Sequence, residues 1–171
     1  MNRRSSLQPI AGANQSLRRQ LDWRGELALA TAPTLVVLTM LALVESFSHQ
    51  QLLFASLASS AFLIYLDPQH STNTVRTLVT SQTMAALIGF TTYTLFGSGY
   101  LSGGSAMVII IVLMILLNVM HPPAVSTALS FALRTGKENN LVLFGLALSI
   151  VLLLVGLQRF AIWLLARLIH K

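Results

Sequence analysis

Two short apolar stretches of this chain, residues 51–66 and 122–133, carry small hydroxyl side chains in their middle. Those hydroxyl residues are Ser56, Ser59, Ser60, Ser126 and Thr127. Hydroxyl groups and helix N-termini both offer hydrogen-bond donors, and an N-terminus adds positive potential, so together they suit a small anion. Pro122 and Pro123 predict a break and then a new helix N-terminus, because proline fits the first helical turn but not the interior. The pattern predicts a neutral, hydroxyl-lined anion site where the two stretches face one another.

His121 immediately precedes the two prolines and is the one histidine inside an apolar region. Histidine titrates near physiological pH, so it could act as a proton-coupled gate or as an anion contact. Alternatively, a ring nitrogen binds a carbonyl that the proline break leaves free, as a purely structural group. The residues leave both interpretations open. We include the nearby Asn118 among the substrate-binding candidates.

Arg76 begins a long apolar stretch shortly after Asp67 and His70. A basic entrance raises the local concentration of anions, so these residues could form a vestibule or gate. The alternative is an arginine that reaches the membrane interface at a helix end, paired with Asp67. Glu45 is interpreted as a helix terminus at the interface rather than as a proton carrier.

The composition indicates a membrane protein. Of 171 residues, 54% are hydrophobic and 9% are charged, whereas about a quarter of residues are charged in soluble domains. The net charge of +6 is carried by too few residues to form a nucleic-acid-binding face, so we expect no nucleic-acid partner. Cysteine is absent, which excludes disulfides and thiolate metal sites. We predict a basic cytoplasmic tail over residues 1–24 and a single transmembrane domain over residues 25–171.

Four stretches come close to the roughly 20 helical residues that a bilayer crossing needs. They are Leu27–Phe47, Val75–Gly97, Ser105–Met120 and Asn140–Leu157, the last extending towards Ile169. The predicted fold is all-α and polytopic, with these four full transmembrane helices and the two short membrane segments. The glycines around Tyr100 are interpreted as a tight loop between spans.

The two short segments resemble each other, since residues 58–62 align with 125–129 in their order of small, polar and apolar side chains. Each lies between two long spans, which suggests a 3+3 inverted repeat of the kind found in transporters. Six crossings leave Arg134 and Lys137 outside and the other nine basic residues inside. If both short segments re-enter instead, the halves become parallel repeats. Either topology puts both termini in the cytoplasm, and we expect a bacterial inner membrane, with an organellar inner membrane as the alternative.

The run from Asn118 to Leu129, which contains His121-Pro122-Pro123, resembles the signature of the HPP family of integral membrane proteins. Residues 55–89 resemble the family's other shared region, in which a small-residue run, a proline and an arginine precede a helix with Ala-Leu-Ile-Gly. Members from cyanobacteria and chloroplasts are implicated in nitrite transport. The resemblance therefore implies a nitrite transporter or channel.

The chain departs from the family pattern at several positions. Ala55, Ala58 and Val125 stand where relatives usually carry glycine. Thr80, Ser81 and Gln82 stand where relatives often carry two glycines and a histidine. Bulkier side chains would narrow a pore, and a lost histidine would change its titration. We assign Gln82 to the vestibule or gate together with Arg76 and His70.

Three functions compete at this point. The first is a passive or proton-linked pathway for nitrite or a similar small anion, which the motif and the short polar segments favour. The second is a membrane enzyme using His121, which the lack of a close acid–histidine pair or metal set disfavours. The third is an accessory or scaffold membrane protein, whose interior should be uniformly apolar. We expect the first, with no enzymatic activity, cofactor or metal, with the lipid bilayer as a partner, and with assembly as a homo-oligomer.

Overall fold

The computed structural model describes residues 51–134 and 139–169, together with residues 27, 31, 34 and 35. The predicted N-terminal tail, most of the predicted first span, Glu45 and Lys137 lie outside the described residues. The longer described ranges contain five α-helices and one short 3-10 helix over Ser71–Asn73. The α-helices are α1 (Gln51–Leu66), α2 (Val75–Phe96), α3 (Tyr100–Leu116), α4 (Ala124–Ala132) and α5 (Asn140–Ile169).

Consecutive helices run in alternating directions between two ends of the bundle. At one end, which we call the His121 end, the His121 ring contacts the carbonyl of Thr72, and Gln158 of α5 donates to the carbonyl of Pro68. At the opposite end, which we call the Arg134 end, the guanidinium of Arg134 lies over the ring of Tyr93 near the end of α2. Helices α1, α3 and α5 therefore run towards the His121 end, while α2 and α4 run towards the Arg134 end.

Helix α4 is short and central. Its nine residues span about 13 Å, and it packs against α1, α2 and α3. Ala124, Ala128 and Ala132 recur at every fourth position and are fully buried, so small side chains line one face of the helix. Small residues allow helix backbones to approach closely in a membrane protein. The closest approach occurs at Gly89 of α2, where an added Cβ would lie 2.2 Å from the carbonyl oxygen of Ala128.

A second packed region joins α1, α2 and α5 around aromatic side chains. The Phe144 ring of α5 lies 5.3 Å from the Phe90 ring of α2 and 5.1 Å from the Phe131 ring of α4, measured between centroids. Leu53 and Ile64 of α1 are completely buried in the same core. This packing holds α5 alongside α1 and α2.

Several predicted helix boundaries are confirmed, and one is wrong. Helix α1 covers residues 51–66 and α2 begins at Val75, as the sequence predicts. The proline pair does lie in a break between helices, and α4 begins directly after it. Helix α3, predicted over Ser105–Met120, instead covers Tyr100–Leu116.

The early start of α3 has a packing reason. Gly103, predicted to lie in a loop, is a helical residue, and an added Cβ there would lie 2.9 Å from a methyl carbon of Leu133. The turn before α3 is made by Gly97 and Gly99, whose φ angles of 71° and 154° favour glycine.

Among the described residues, one helix is long and apolar enough to cross a membrane by itself. It is α5, over Asn140–Arg167, with a mean hydropathy of 2.6. Helix α2 has 22 residues, but Gln82 and other polar residues lower its hydropathy. Four full spans therefore remain a prediction, while the all-helical class is confirmed for the described residues.

Candidate functional site

Five buried polar side chains meet where α1, α2 and the start of α4 come together. We call them the polar cluster: Ser56, Ser60, Gln82, His121 and Thr127. Each is at most 2% exposed. None of them carries a permanent charge, and apolar side chains of the bundle surround them. The cluster is a neutral polar site inside an apolar protein.

Ser56, Gln82 and Thr127 form a closed ring of contacts. The hydroxyl oxygens of Ser56 and Thr127 are 2.8 Å apart, Thr127 donates to Oε1 of Gln82 at 2.6 Å, and Nε2 of Gln82 donates to Ser56 at 3.3 Å. The ring is complete when the Ser56 proton points to Thr127. The same hydroxyl also lies 2.8 Å from the carbonyl oxygen of Pro123, which already accepts from the backbone N–H of Ser126. The single proton of Ser56 therefore has two acceptors within reach.

His121 links the cluster to the connection between α1 and α2. Its Nδ1 lies 3.0 Å from the carbonyl oxygen of Thr72, and its Nε2 lies 2.8 Å from the hydroxyl of Ser60. A carbonyl can only accept, so Nδ1 carries the proton in the neutral ring, and Nε2 accepts from Ser60. This bond matches the structural interpretation of His121 in kind, although the carbonyl belongs to Thr72 and not to the proline break.

The loop that presents Thr72 is held by its own hydrogen bonds. Nδ1 of His70 accepts from the backbone N–H of Thr72 at 3.2 Å and caps the 3-10 helix. The side chain of Asn73 donates to the carbonyl oxygens of Leu63 and Asp67 at 2.8 and 2.7 Å, which ties the loop to the end of α1. His70 is half-buried and acts on the cluster only through the position of Thr72.

The start of α4 differs from the sequence expectation of free N–H groups. The backbone N–H groups of Ala124, Val125 and Ser126 donate to the carbonyls three residues earlier, at 2.9 to 3.1 Å. Pro122 and Pro123 have no N–H group to offer. The donors that face the cluster are therefore side-chain hydroxyl and amide groups, and the expectation of free backbone donors is wrong.

The structure gathers some of the predicted site residues and separates others. Ser56, Ser60, Thr127 and His121 meet in the cluster, and Pro123 supplies a carbonyl to it. Ser126 is half-buried, and Pro122, Ser59, Asn118 and Arg76 are exposed outside it. The Asp67 carboxylate accepts from the backbone N–H of Gln69 at 3.1 Å.

Gln82 belongs to the cluster itself, although the sequence assigned it to a vestibule. The signal available in the sequence was its long neutral polar side chain in an otherwise apolar stretch of α2. Such a side chain must find partners when it is buried in a membrane protein.

Asn118 has a clear local role at the end of α3. Its φ angle is 53°, and its N–H donates to the carbonyl of Ile115, while the N–H of Val119 donates to that of Met114. These two bonds close the helix in the manner of a Schellman motif, in which glycine or asparagine takes the left-handed position.

We expect Asn118→Gly to leave the thermal unfolding midpoint in detergent nearly unchanged. Asn118→Val should lower the free energy of unfolding by about 1–2 kcal/mol, because a branched side chain is strained at positive φ. A loss of anion flux in the well-folded Asn118→Gly protein would instead support a substrate contact by the amide. Equal stability of the two variants would contradict the local role.

The described contacts of the cluster are hydrogen bonds between neutral groups. In the ranges that the structure describes, no three His, Asp or Glu side chains lie close enough to hold a metal ion. The hydroxyls of Ser56 and Thr127 have neither a carboxylate nor a ring nitrogen bonded to them as a base, and the His121 ring is bonded to Ser60 and Thr72. The polar side chains of the cluster pair with one another and with the backbone carbonyls of Thr72 and Pro123.

The described residues form an all-helical bundle with one helix long and apolar enough to cross a membrane and with a buried neutral polar cluster, features that fit a helical membrane protein. The sequence matches the family profile described as HPP, transmembrane region, over residues 20–170. The chain therefore belongs to the HPP transmembrane family, as the His-Pro-Pro motif predicts. No curated protein and no solved structure matches the chain.

Proposed function

We propose that this protein conducts a small inorganic anion, nitrite in the first instance, across a membrane through the polar cluster. The observation that carries the proposal is the closed ring of Ser56, Gln82 and Thr127, buried in the apolar bundle beside the His-Pro-Pro turn. A scaffold protein would have no need of such a ring at its centre. The family resemblance supplies the argument for nitrite over other small anions.

The ring suits transient binding of an anion because its hydrogen bonds can be exchanged. Rotation of the Ser56 hydroxyl towards Pro123 opens the contact with Thr127 without leaving the Ser56 proton unpaired. For an anion to bind, the Ser56 and Thr127 hydroxyls would turn their protons away from these neutral acceptors and towards it, and hydrogen bonds to a charged acceptor are about twice as strong as neutral ones. A site without a fixed cation would also release the anion readily, as conduction requires.

The helix directions support the inverted repeat that we propose for the whole chain. Helices α1 and α4 hold equivalent places in the two halves and run in opposite directions, as do α2 and α5. The same offset of 67 residues that relates 58–62 to 125–129 also relates Leu87-Ile88-Gly89-Phe90 to Leu154-Val155-Gly156-Leu157. Six crossings with both termini in the cytoplasm of a bacterium fit these directions, with α1 and α4 meeting in the middle.

The test of the proposal is nitrite entry into liposomes that contain only this protein. We expect uptake well above that of protein-free liposomes, and a dependence on an imposed pH gradient if transport is proton-linked. Uptake equal to that of the protein-free liposomes, with and without the gradient, would contradict the proposal. It would leave a membrane enzyme or an accessory protein as the alternatives.

A further inference from the structure

Arg134 is a buried cation at the end of the bundle opposite His121. Only 7% of the residue is exposed, and its guanidinium carbon lies 3.9 Å from the Tyr93 ring centroid and 4.9 Å from that of Phe90. Nη1 donates to Oδ1 of Asn140, an exposed residue that begins α5. The guanidinium is therefore buried against two aromatic rings of α2 and bonded to an exposed residue.

The charge of Arg134 lacks a counter-charge among the residues that the structure describes. Its hydrogen-bond partner Asn140 and its aromatic neighbours are neutral. Within residues 51–134 and 139–169 the single acidic residue is Asp67, which follows α1 at the His121 end. A buried charge is costly unless it is paired, so binding of an anion beside the Arg134 guanidinium would be favourable.

The guanidinium also has an unused donor. Nε of Arg134 is completely buried and has no hydrogen-bond partner among the described residues. Nε–H and one N–H of the neighbouring Nη2 lie along the same edge of the guanidinium plane, where they form a fork that matches two oxygens of one planar anion. Because Nη1 donates to Asn140, this edge carries the donor that lacks a partner among the described residues.

We propose that Arg134 forms a second anion site, for a planar monovalent oxyanion with two adjacent oxygens, such as nitrite, nitrate or formate. The proposal rests on the proposed function, because it gives the conducted anion a charged binding point at the Arg134 end. Helix α4 connects the two sites, since Thr127 lies within it and Arg134 follows its last residue, Ala132, by two positions. The charged site would gather the anion, and the neutral cluster would pass it on.

The test is an anion-dependent rise in the thermal unfolding midpoint of the full chain in detergent. Sodium nitrite replaces sodium gluconate at constant ionic strength, since gluconate is too bulky for a buried guanidinium. We expect nitrite to raise the midpoint of the wild-type protein and of the matched control Arg159→Gln, whose arginine is exposed on α5. Arg134→Gln should lose the rise, and Arg134→Lys, which keeps the charge without the fork, should bind nitrite about tenfold more weakly.

Two outcomes would overturn this site. One is a nitrite-dependent rise that is as large in Arg134→Lys and Arg134→Gln as in the wild type. The other is a rise that appears only in Glu138→Gln, which would mean that this acid, four positions further along the chain, already neutralises Arg134. If Arg134→Gln fails to fold, the wild-type, Arg134→Lys and Glu138→Gln proteins still decide the question.

The Arg134 anion site and the proposed function can be refuted independently of each other. If the protein binds nitrite through Arg134 but conducts none, conduction is refuted and the anion site stands. If the protein conducts nitrite but its unfolding midpoint shows no Arg134-dependent rise with nitrite, the anion site is refuted and conduction stands.

Discussion

Gly89→Ala is expected to destabilise the protein by about 3 kcal/mol, because overpacking at a rigid contact costs 1–3 kcal/mol or more. The added Cβ would lie 2.2 Å from the carbonyl oxygen of Ala128 and 2.8 Å from Cβ of Phe131. Neither atom belongs to the far end of a flexible side chain, so α2 and α4 must move apart. That movement would also separate Gln82 from Thr127, whose hydrogen bond depends on the same helix pair.

The matched control is Gly104→Ala in α3. An added Cβ at this position meets no described atom within 4 Å, so alanine should be neutral or stabilise the helix by up to about 1 kcal/mol. Unfolding in detergent, followed by circular dichroism against temperature or denaturant, compares the two variants. Equal stability of Gly89→Ala and Gly104→Ala would contradict the close packing of α2 on α4.

His121→Ala is expected to lower the free energy of unfolding by about 3 kcal/mol or more, since each buried polar group left without a partner costs about 1–3 kcal/mol. The change leaves the hydroxyl of Ser60 and the carbonyl of Thr72 unpaired. His121→Asn should cost roughly half as much, because an amide N–H can replace Nδ1 at Thr72 but cannot reach Ser60. If His121→Ala has the same helical content and unfolding midpoint as the wild type, the structural role of His121 is refuted.

The pH profile of nitrite conduction by His121→Asn separates the two interpretations of the histidine. If the folded variant conducts nitrite with a flat pH profile where the wild type shows a pH-dependent one, the ring acts as a gate. If conduction per folded molecule and its pH profile are unchanged, the ring is structural. A Ser60→Ala/His121→Ala double variant should lose less stability than the sum of its single changes, because the two side chains share one hydrogen bond.

Much of the fold follows from local sequence signals. The proline pair opens α4, since no other residue restricts the backbone in that way. The start of α3 could not be found from the same signals, because glycine indicates a turn in a sequence. In the structure Gly103 instead provides room for Leu133, a residue 30 positions further along the chain. A contact of that range is invisible to local patterns.

Local sequence signals predicted part of the candidate site, and the rest depends on tertiary packing. The hydroxyls of two short segments suggested that α1 and α4 face one another, and Ser56 and Thr127 do meet. The face of α1 that turns inward depends on tertiary packing, so Ser60 is buried while its neighbour Ser59 is exposed. Arg134 was interpreted only as an external loop charge, because nothing in the sequence links it to Phe90 and Tyr93.

The central claim is that nitrite passes through the buried ring, and one measurement tests it most directly. The initial rate of nitrite entry into liposomes is compared between Ser56→Ala/Thr127→Val and Ser59→Ala/Ser126→Ala, normalised to folded protein. The first pair removes both hydroxyls of the ring, and the second removes hydroxyls from the same two helices outside it. We predict a rate at least about tenfold below that of the wild type for the first pair, since two charge-assisted hydrogen bonds are lost, and a wild-type rate for the second. Equal rates for the two pairs would contradict conduction through the ring.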